Sequence, residues 1–187
     1  LVSMKKLLTS LFYLGIAGFL SFLPIQASNK VPEPKREFRG SWIQCVNGQF
    51  NGLSPEAMRA RLTQHLDALQ KVHCNAVMFQ IRAEGDALYP SRLEPWSRYL
   101  TGQQGRAPEP YWDPLQWMVE QCHKRGMEIH AWINPYRAKT AGTKELAVTH
   151  PYMQHPERFM HYGELLLFNP GIPANRHWIC KVAADIV

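Results

Sequence analysis

The polar residues of this chain that could do chemistry follow two apolar segments. Arg82, Glu84 and Asp86 stand at and after the end of one such segment, and Asn134 follows the next one. Both segments read as strands of a parallel sheet, whose carboxyl ends meet at one edge, where α/β proteins bind ligands. We therefore expect these four side chains to lie close together at one candidate site.

The residue types at this edge suit a sugar. Aromatic rings stack on pyranose faces, and amide or guanidinium groups bind hydroxyls and carboxylates. On this basis the predicted substrate-binding residues are Trp42, Gln80, Arg82, His130, Trp132, Asn134, Tyr136 and Arg137. Glu84 and Asp86 are the acidic candidates for catalysis, although either could instead bind hydroxyls.

Structural roles for the same residues stay open at this stage. Arg82 could form an ion pair with Glu84 or Asp86 instead of binding a ligand. His130 could be a hydrogen-bonded interior histidine, and Tyr99 could hold the long loop in place instead of touching substrate. Sequence alone does not separate these alternatives.

The alternation of side chains along the strands supports a polar sheet face. In the segment 75–82 the apolar side chains of Val77, Phe79 and Ile81 are expected to face helices. Met78, Gln80 and Arg82 then face the other way, as do Trp42 in the first strand and His130, Trp132 and Asn134 in the third. A strand buried on both faces is normally apolar throughout, so this second face indicates function.

Three strands alternating with helices predict an α/β fold with a parallel sheet. Strands are expected at 38–45, 75–82 and 127–133. Helices are expected to begin at Ser54-Pro55 and Asp113-Pro114, where a cap residue precedes a proline, and at Pro173. The first helix carries a buried stripe, and a short helix is expected near 156–161. An open doubly wound sheet and a (β/α)8 barrel both fit this order of strands and helices. The sequence lacks the phosphate-binding glycine motifs that are typical of open nucleotide-binding sheets.

The N-terminus predicts export. Residues 1–27 combine Met4-Lys5-Lys6, an apolar stretch over 7–23 and a small-residue cleavage site, as in a secretory signal peptide. A membrane anchor is the alternative, and no stable membrane span is expected after cleavage. Residues 28–37 read as a linker and 38–187 as one domain, in the periplasm or outside the cell.

Composition argues against several other functions. The formal net charge is +6, but the basic residues are scattered, which argues against nucleic acid as a partner. The four cysteines are far apart, so buried free thiols are expected, although export would permit disulfides. Neither a metal site nor a cofactor is indicated.

Longer motifs resemble a known family. EFRGSWI (37–43), the segment 75–105, DPLQWMVEQCHKRGMEIHAWINPYRA (113–138) and FNPGIP (168–173) together resemble the glycosyl-hydrolase-like family 10 domain of bacterial envelope proteins. The resemblance implies a TIM-type (β/α)8 barrel and glycosidase activity on cell-wall glycan, including peptidoglycan strands. It also implies that this chain holds about three βα units, the N-terminal part of the barrel.

The resemblance further implies a fourth strand with a DGIHFDDY-like motif, which does not occur in residues 1–187. We expect a catalytic carboxylate at that strand, because glycoside hydrolysis generally needs two carboxyl groups. This chain alone is therefore expected to be an inactive, truncated part of an exported glycoside hydrolase. A non-catalytic carbohydrate-binding protein and a truncated product that does not fold remain as alternatives.

Overall fold

The computed structural model describes residues 37–50 and 52–187. The predicted signal peptide lies outside the described residues, as does the linker apart from Glu37. Residues 38–187 form one compact unit, and the fold described below is that of this unit.

A parallel three-stranded sheet forms its centre. The strands are β1 (Gly40–Ile43), β2 (Ala76–Arg82) and β3 (Glu128–Ile133), in the order β1-β2-β3. The ladder is regular except for an irregularity between Gln80 and Arg82 at the end of β2. The α/β class with a parallel sheet is confirmed, and the expected strands each have a counterpart, with β1 shorter than expected.

Two of the three helices between these strands begin where the sequence predicts, and the third, a short one, was not predicted. Helix α1 (Pro55–Lys71) follows Ser54, whose hydroxyl accepts the backbone N–H of Ala57. The short helix α2 (Arg98–Thr101) lies in the long connection after β2. Helix α3 (Pro114–Lys124) follows Asp113, whose carboxylate accepts two N–H groups of the first turn. Side-chain oxygens at these caps satisfy donors that a helix start leaves unpaired.

The main core lies between the sheet and helices α1 and α3. Val77, Phe79 and Ile81 of β2 are fully buried there, as predicted from the alternation of β2. Met58, Leu62 and Leu66 of α1 are also buried, whereas Val72 at its C-terminal end is exposed. The helix face of the central strand could therefore be read from the sequence.

A second, antiparallel sheet was not predicted. Strands β4 (Arg137–Lys139), β5 (Phe159–Tyr162) and β6 (Leu165–Phe168) form it in the order β4-β6-β5. Between β4 and β5 lie the short helix α4 (Pro151–Gln154) and a 3-10 turn, Pro156–Arg158. The helix expected near 156–161 is thus wrong beyond Arg158. The signal for a hairpin was present, because two apolar runs flank a two-residue turn at Gly163-Glu164.

Helix α5 (Pro173–Ile186) follows this sheet, as expected. The four cysteines are free thiols, but only Cys45 and Cys122 are buried; Cys180 is exposed and Cys74 is half-buried. The prediction of free thiols is confirmed, and that of general burial is wrong at Cys74 and Cys180. Within the described ranges, no helix is both long and apolar enough to cross a membrane.

Candidate functional site

The carboxyl ends of β1, β2 and β3 lie at one edge of the parallel sheet, as the sequence predicts. The loop after β2 (83–113) and the segment after β3 (134–172) both start from this edge. Hydrogen bonds between their side chains join the two segments. The candidate site is therefore a pair of long loops fixed to each other above the strand ends.

Arg82 forms a buried ion pair with a residue that the sequence did not single out. Its Nε donates to Glu94 Oε2 at 2.6 Å and its Nη2 donates to Glu94 Oε1 at 2.7 Å, with both side chains fully buried. Its Nη1 donates to the carbonyls of Asn134 and Pro135. The alternative of an ion pair was right in kind but wrong in partner, since Glu94 takes the place of Glu84 or Asp86, and the geometry favours a structural role for Arg82. Its contact with substrate stays a prediction.

Glu84 is a buried carboxylate surrounded by donors. It accepts hydrogen bonds from the hydroxyls of Tyr99, Thr140 and Thr143 and from Nε and Nη2 of Arg98. Burial alone would raise the pKa of Glu84, but these donors outweigh it and lower the pKa below its ordinary value. Glu84 is therefore held as an anion and joins the loop after β2 to the segment after β3.

Asp86 lies two residues further on, in a different environment. Its Oδ2 accepts from Gln104 Nε2 at 3.1 Å, and its Oδ1 accepts the backbone N–H of Glu84 at 3.3 Å. Burial, and then the negative charge of Glu84, raise its pKa to about 6 against the lowering effect of the Gln104 hydrogen bond. A raised pKa suits a general acid, but Asp86 is fully buried, as is Glu84.

Two indoles share the opposite face of the parallel sheet. The rings of Trp42 and Trp132 meet edge to face, with centroids 4.9 Å apart, and Trp42 is 62% exposed. The Trp132 Nε1 donates to Asn134 Oδ1 at 3.2 Å, and Asn134 Nδ2 donates to the Ala83 carbonyl at 3.2 Å. Asn134 thus orients Trp132 beside an open aromatic surface.

The other predicted binding residues differ in their surroundings. Gln80 is buried and accepts the backbone N–H of Cys45 at 3.1 Å. The side chain of His130 is about half exposed, so an interior position for it is wrong. Its Nε2 lies 3.2 Å from Glu128 Oε2. Tyr136 packs against the core of the antiparallel sheet, and Arg137 is an exposed residue of β4. The role of these four residues in substrate binding stays a prediction.

The loop partners themselves were missed in the sequence. Glu94 accepts hydrogen bonds from the guanidinium of Arg82 and from the indole of Trp178, whose Nε1 lies 3.1 Å from Glu94 Oε1. Thr140 and Thr143 reach Glu84 from more than fifty residues away. Threonines in a loop carry no spacing signal, so only the folded arrangement shows this contact. Tyr99 has the loop-fixing role that was one of its two alternatives.

This arrangement can bind better than it can react. Two carboxyl groups in one loop have pKa values displaced in opposite directions, which is a pattern of acid–base sites. Both are sealed from solvent by their partners, however, whereas Trp42 of the indole pair is exposed. Among the described residues, no group of three or more His, Cys, Asp or Glu side chains is placed to hold a metal ion.

Known proteins resemble this chain over most of its length. Glycosyl hydrolase YngK of Bacillus subtilis is 38% identical over 192 aligned positions, covering 100% of this chain and 37% of the relative. Glycosyl hydrolase DigH of Escherichia coli K12 is 35% identical over 176 positions, covering 83% of this chain and 40% of the relative. The chain therefore spans about two-fifths of the length of these relatives.

The family described as glycosyl hydrolase-like 10 matches residues 37–187, which cover the whole unit that contains the parallel sheet and both loops. The match includes the indole pair, the buried carboxylates and the strand ends that the sequence singled out. By this match and by its relatives, the chain belongs to the glycosyl hydrolase-like 10 family.

Proposed function

We propose that this chain is part of an exported glycoside hydrolase that acts on an envelope or extracellular glycan, with peptidoglycan glycan strands as its substrate. Membership of a glycosyl hydrolase-like family supports a glycan as the ligand. The observation that carries the proposal is the contact between exposed Trp42 and half-buried Trp132, with Asn134 fixing the second indole. Such rings offer flat apolar surfaces to the face of a sugar.

The parallel sheet fits the first units of a (β/α)8 barrel. In the described residues β1 and β3 are edge strands, each paired only with β2. The face that carries Trp42, Met78 and Trp132 would then line the barrel interior near its mouth. Active sites of such barrels lie at the carboxyl ends of the strands, where the two long loops begin.

Catalysis by Glu84 or Asp86 is not part of this proposal. Both are buried and have partners, so we assign them to loop positioning. The 187-residue chain should release no reducing sugar from peptidoglycan glycan strands. Turnover that Glu84→Gln abolishes while the fold is retained would instead make Glu84 a reacting carboxylate.

Binding tests the proposal directly. The purified chain should bind peptidoglycan glycan strands in calorimetry, and Trp132→Ala should weaken that binding about tenfold, which corresponds to ~1.4 kcal/mol. Tyr162→Ala is the control, because Tyr162 is an exposed aromatic residue of the other sheet. Equal loss in both variants, or no binding by the unchanged chain, would refute the proposed function.

Export is tested separately. If residues 1–27 are removed on secretion, the N-terminal sequence of the secreted protein should begin near Ser28. A protein that stays membrane-bound and begins at Met4 would instead be anchored.

A further inference from the structure

A cleft of about 850 Å³ lies between the two long loops, and the proposed function does not use it. One wall is formed by residues 102–106 and the other by residues 142 and 144–148, and Arg98 also lines the cleft. This volume lies within the range of roughly 300–1,000 Å³ that is typical of small-molecule sites. The cleft is therefore large enough to hold part of a glycan.

Contacts between the two walls fix them to each other. Gln104 donates to Asp86 and accepts the backbone N–H of Ala147 at 3.0 Å, so one side chain joins the two walls. Gly105 approaches Ala147 so closely that a Cβ at position 105 would lie 2.9 Å from the Cβ of Ala147. The cleft is therefore a fixed feature of the two packed loops.

Arg98 presents a partly used guanidinium to the cleft. Its Nε and Nη2 donate to Glu84 and to neighbouring hydroxyls. Its Nη1 has no hydrogen-bond partner among the described residues, and the guanidinium lies close to Gly142 of the opposite wall. Glu84 thus orients Arg98 and leaves two N–H donors for a ligand.

Two further basic residues line the cleft. Arg106 and Lys144 are exposed on the two walls, and neither forms an ion pair within the part of the chain that the structure describes. Glu145 is the only acidic residue of the lining. Cations on both walls and the open donors of Arg98 favour an anionic oxygen as the ligand atom.

We propose that this cleft is a subsite that binds a carboxylate group of an acidic glycan. The inference rests on the proposed function, because it assigns a charged part of the glycan to a place distinct from the indole pair. Arg98 donates to a carboxylate oxygen from Nη1, while Arg106 and Lys144 attract the charge from the two walls. The cleft thereby distinguishes acidic from neutral strands.

The test compares two forms of one ligand with the 187-residue chain. A tetrasaccharide of alternating N-acetylglucosamine and N-acetylmuramic acid carries lactyl carboxylates, and its methyl ester is the neutral match. At constant ionic strength the acid should bind about tenfold more tightly than the ester, as expected for a charged hydrogen bond. Excess inorganic phosphate should not displace the acid; complete displacement would overturn the assignment to a carboxylate.

Variants locate the preference. Arg106→Gln with Lys144→Gln should reduce the preference for the acid to about threefold or less, in line with the loss of exposed charges. Lys124→Gln with Lys181→Gln removes the same charge from exposed positions outside the cleft lining and should change nothing. Arg98→Lys should also reduce the preference, because lysine lacks the second donor edge.

The outcomes separate the two hypotheses. Equal binding of acid and ester by the unchanged chain, or a preference that Arg106→Gln with Lys144→Gln leaves intact, overturns the cleft assignment but not the proposed function. If neither tetrasaccharide binds, the proposed function fails, and the assignment of the cleft fails with it.

Discussion

Replacing Glu84 with glutamine tests whether the buried network holds the two loops together. The change keeps the size of the side chain but removes its charge and puts an amide N–H₂ where an oxygen accepted hydrogen bonds. Thr140, Thr143 and Tyr99 can rotate their hydroxyls, whereas Arg98 can only donate. Arg98 therefore loses the negative charge and one of its two carboxylate acceptors, and it keeps only neutral acceptors, including the hydroxyls of Thr143 and Tyr99.

The loss of stability can be bounded from the contacts. Hydrogen bonds to a charged group contribute about 1.5–3 kcal/mol, and breaking a fully buried ion pair costs about 3–5 kcal/mol. The side chain of Arg98 is 22% exposed, so solvent screens part of its attraction to Glu84. We expect Glu84→Gln to lower the free energy of unfolding by roughly 2–4 kcal/mol, or the melting temperature by about 4–16 °C for a chain of this length.

Urea and thermal unfolding at pH 7, followed by circular dichroism, measure this difference. Glu164→Gln is the matched control, because Glu164 is exposed in the turn between β5 and β6. The pKa of Glu84 is lowered in the folded state, so its contribution is present above its ordinary pKa of 4.5 and is lost as the pH falls through the lowered value. The gap between the variant and the unchanged chain should therefore narrow in acid.

A clear result would refute this reasoning. If Glu84→Gln unfolds within about 0.5 kcal/mol of the unchanged chain, as ordinary surface changes do, the network does not stabilise the loops. A gap that widens as the pH falls below 4.5 would show that the carboxylate is not preferentially ionised in the folded state.

Three further predictions follow from the buried groups. Arg82→Lys should lower the unfolding free energy by about 3 kcal/mol, because lysine cannot form the paired hydrogen bonds to buried Glu94; lost glycan binding at unchanged stability would place Arg82 in the binding site instead. Asp86 should titrate near pH 6 in carbon NMR, and a midpoint near 4 contradicts this. Because the folded state holds the Asp86 proton to a higher pH than the unfolded state does, the free energy of unfolding should fall by about 3 kcal/mol as the pH rises from about 4 to 6. Iodoacetamide should label exposed Cys180 well before buried Cys45, whose thiol pKa is raised by burial. Mass spectrometry measures the order of labelling, and the reverse order would contradict this prediction.

Local signals in the sequence were sufficient for the parallel sheet and its helices. Ser54 and Asp113 cap α1 and α3, and their side-chain oxygens accept backbone N–H groups only two or three residues further along the chain. A contact this local can be read from the sequence. The buried face of β2 follows from alternation, which is a property of the extended backbone itself. The helix expected near 156–161 is wrong beyond Arg158 because pairing with β6, and not local preference, decides the structure there.

The sequence by itself determined that polar and aromatic residues collect at the carboxyl ends of three parallel strands, because strand direction and side-chain alternation fix that placement. Only the tertiary structure decided which partner each polar group has. Arg82 pairs with Glu94 and not with Glu84 or Asp86, and Glu84 meets Thr140 and Thr143 across the chain. Buried charges take whatever partners the packing of distant loops brings within hydrogen-bonding distance, and that distance is not encoded in local spacing.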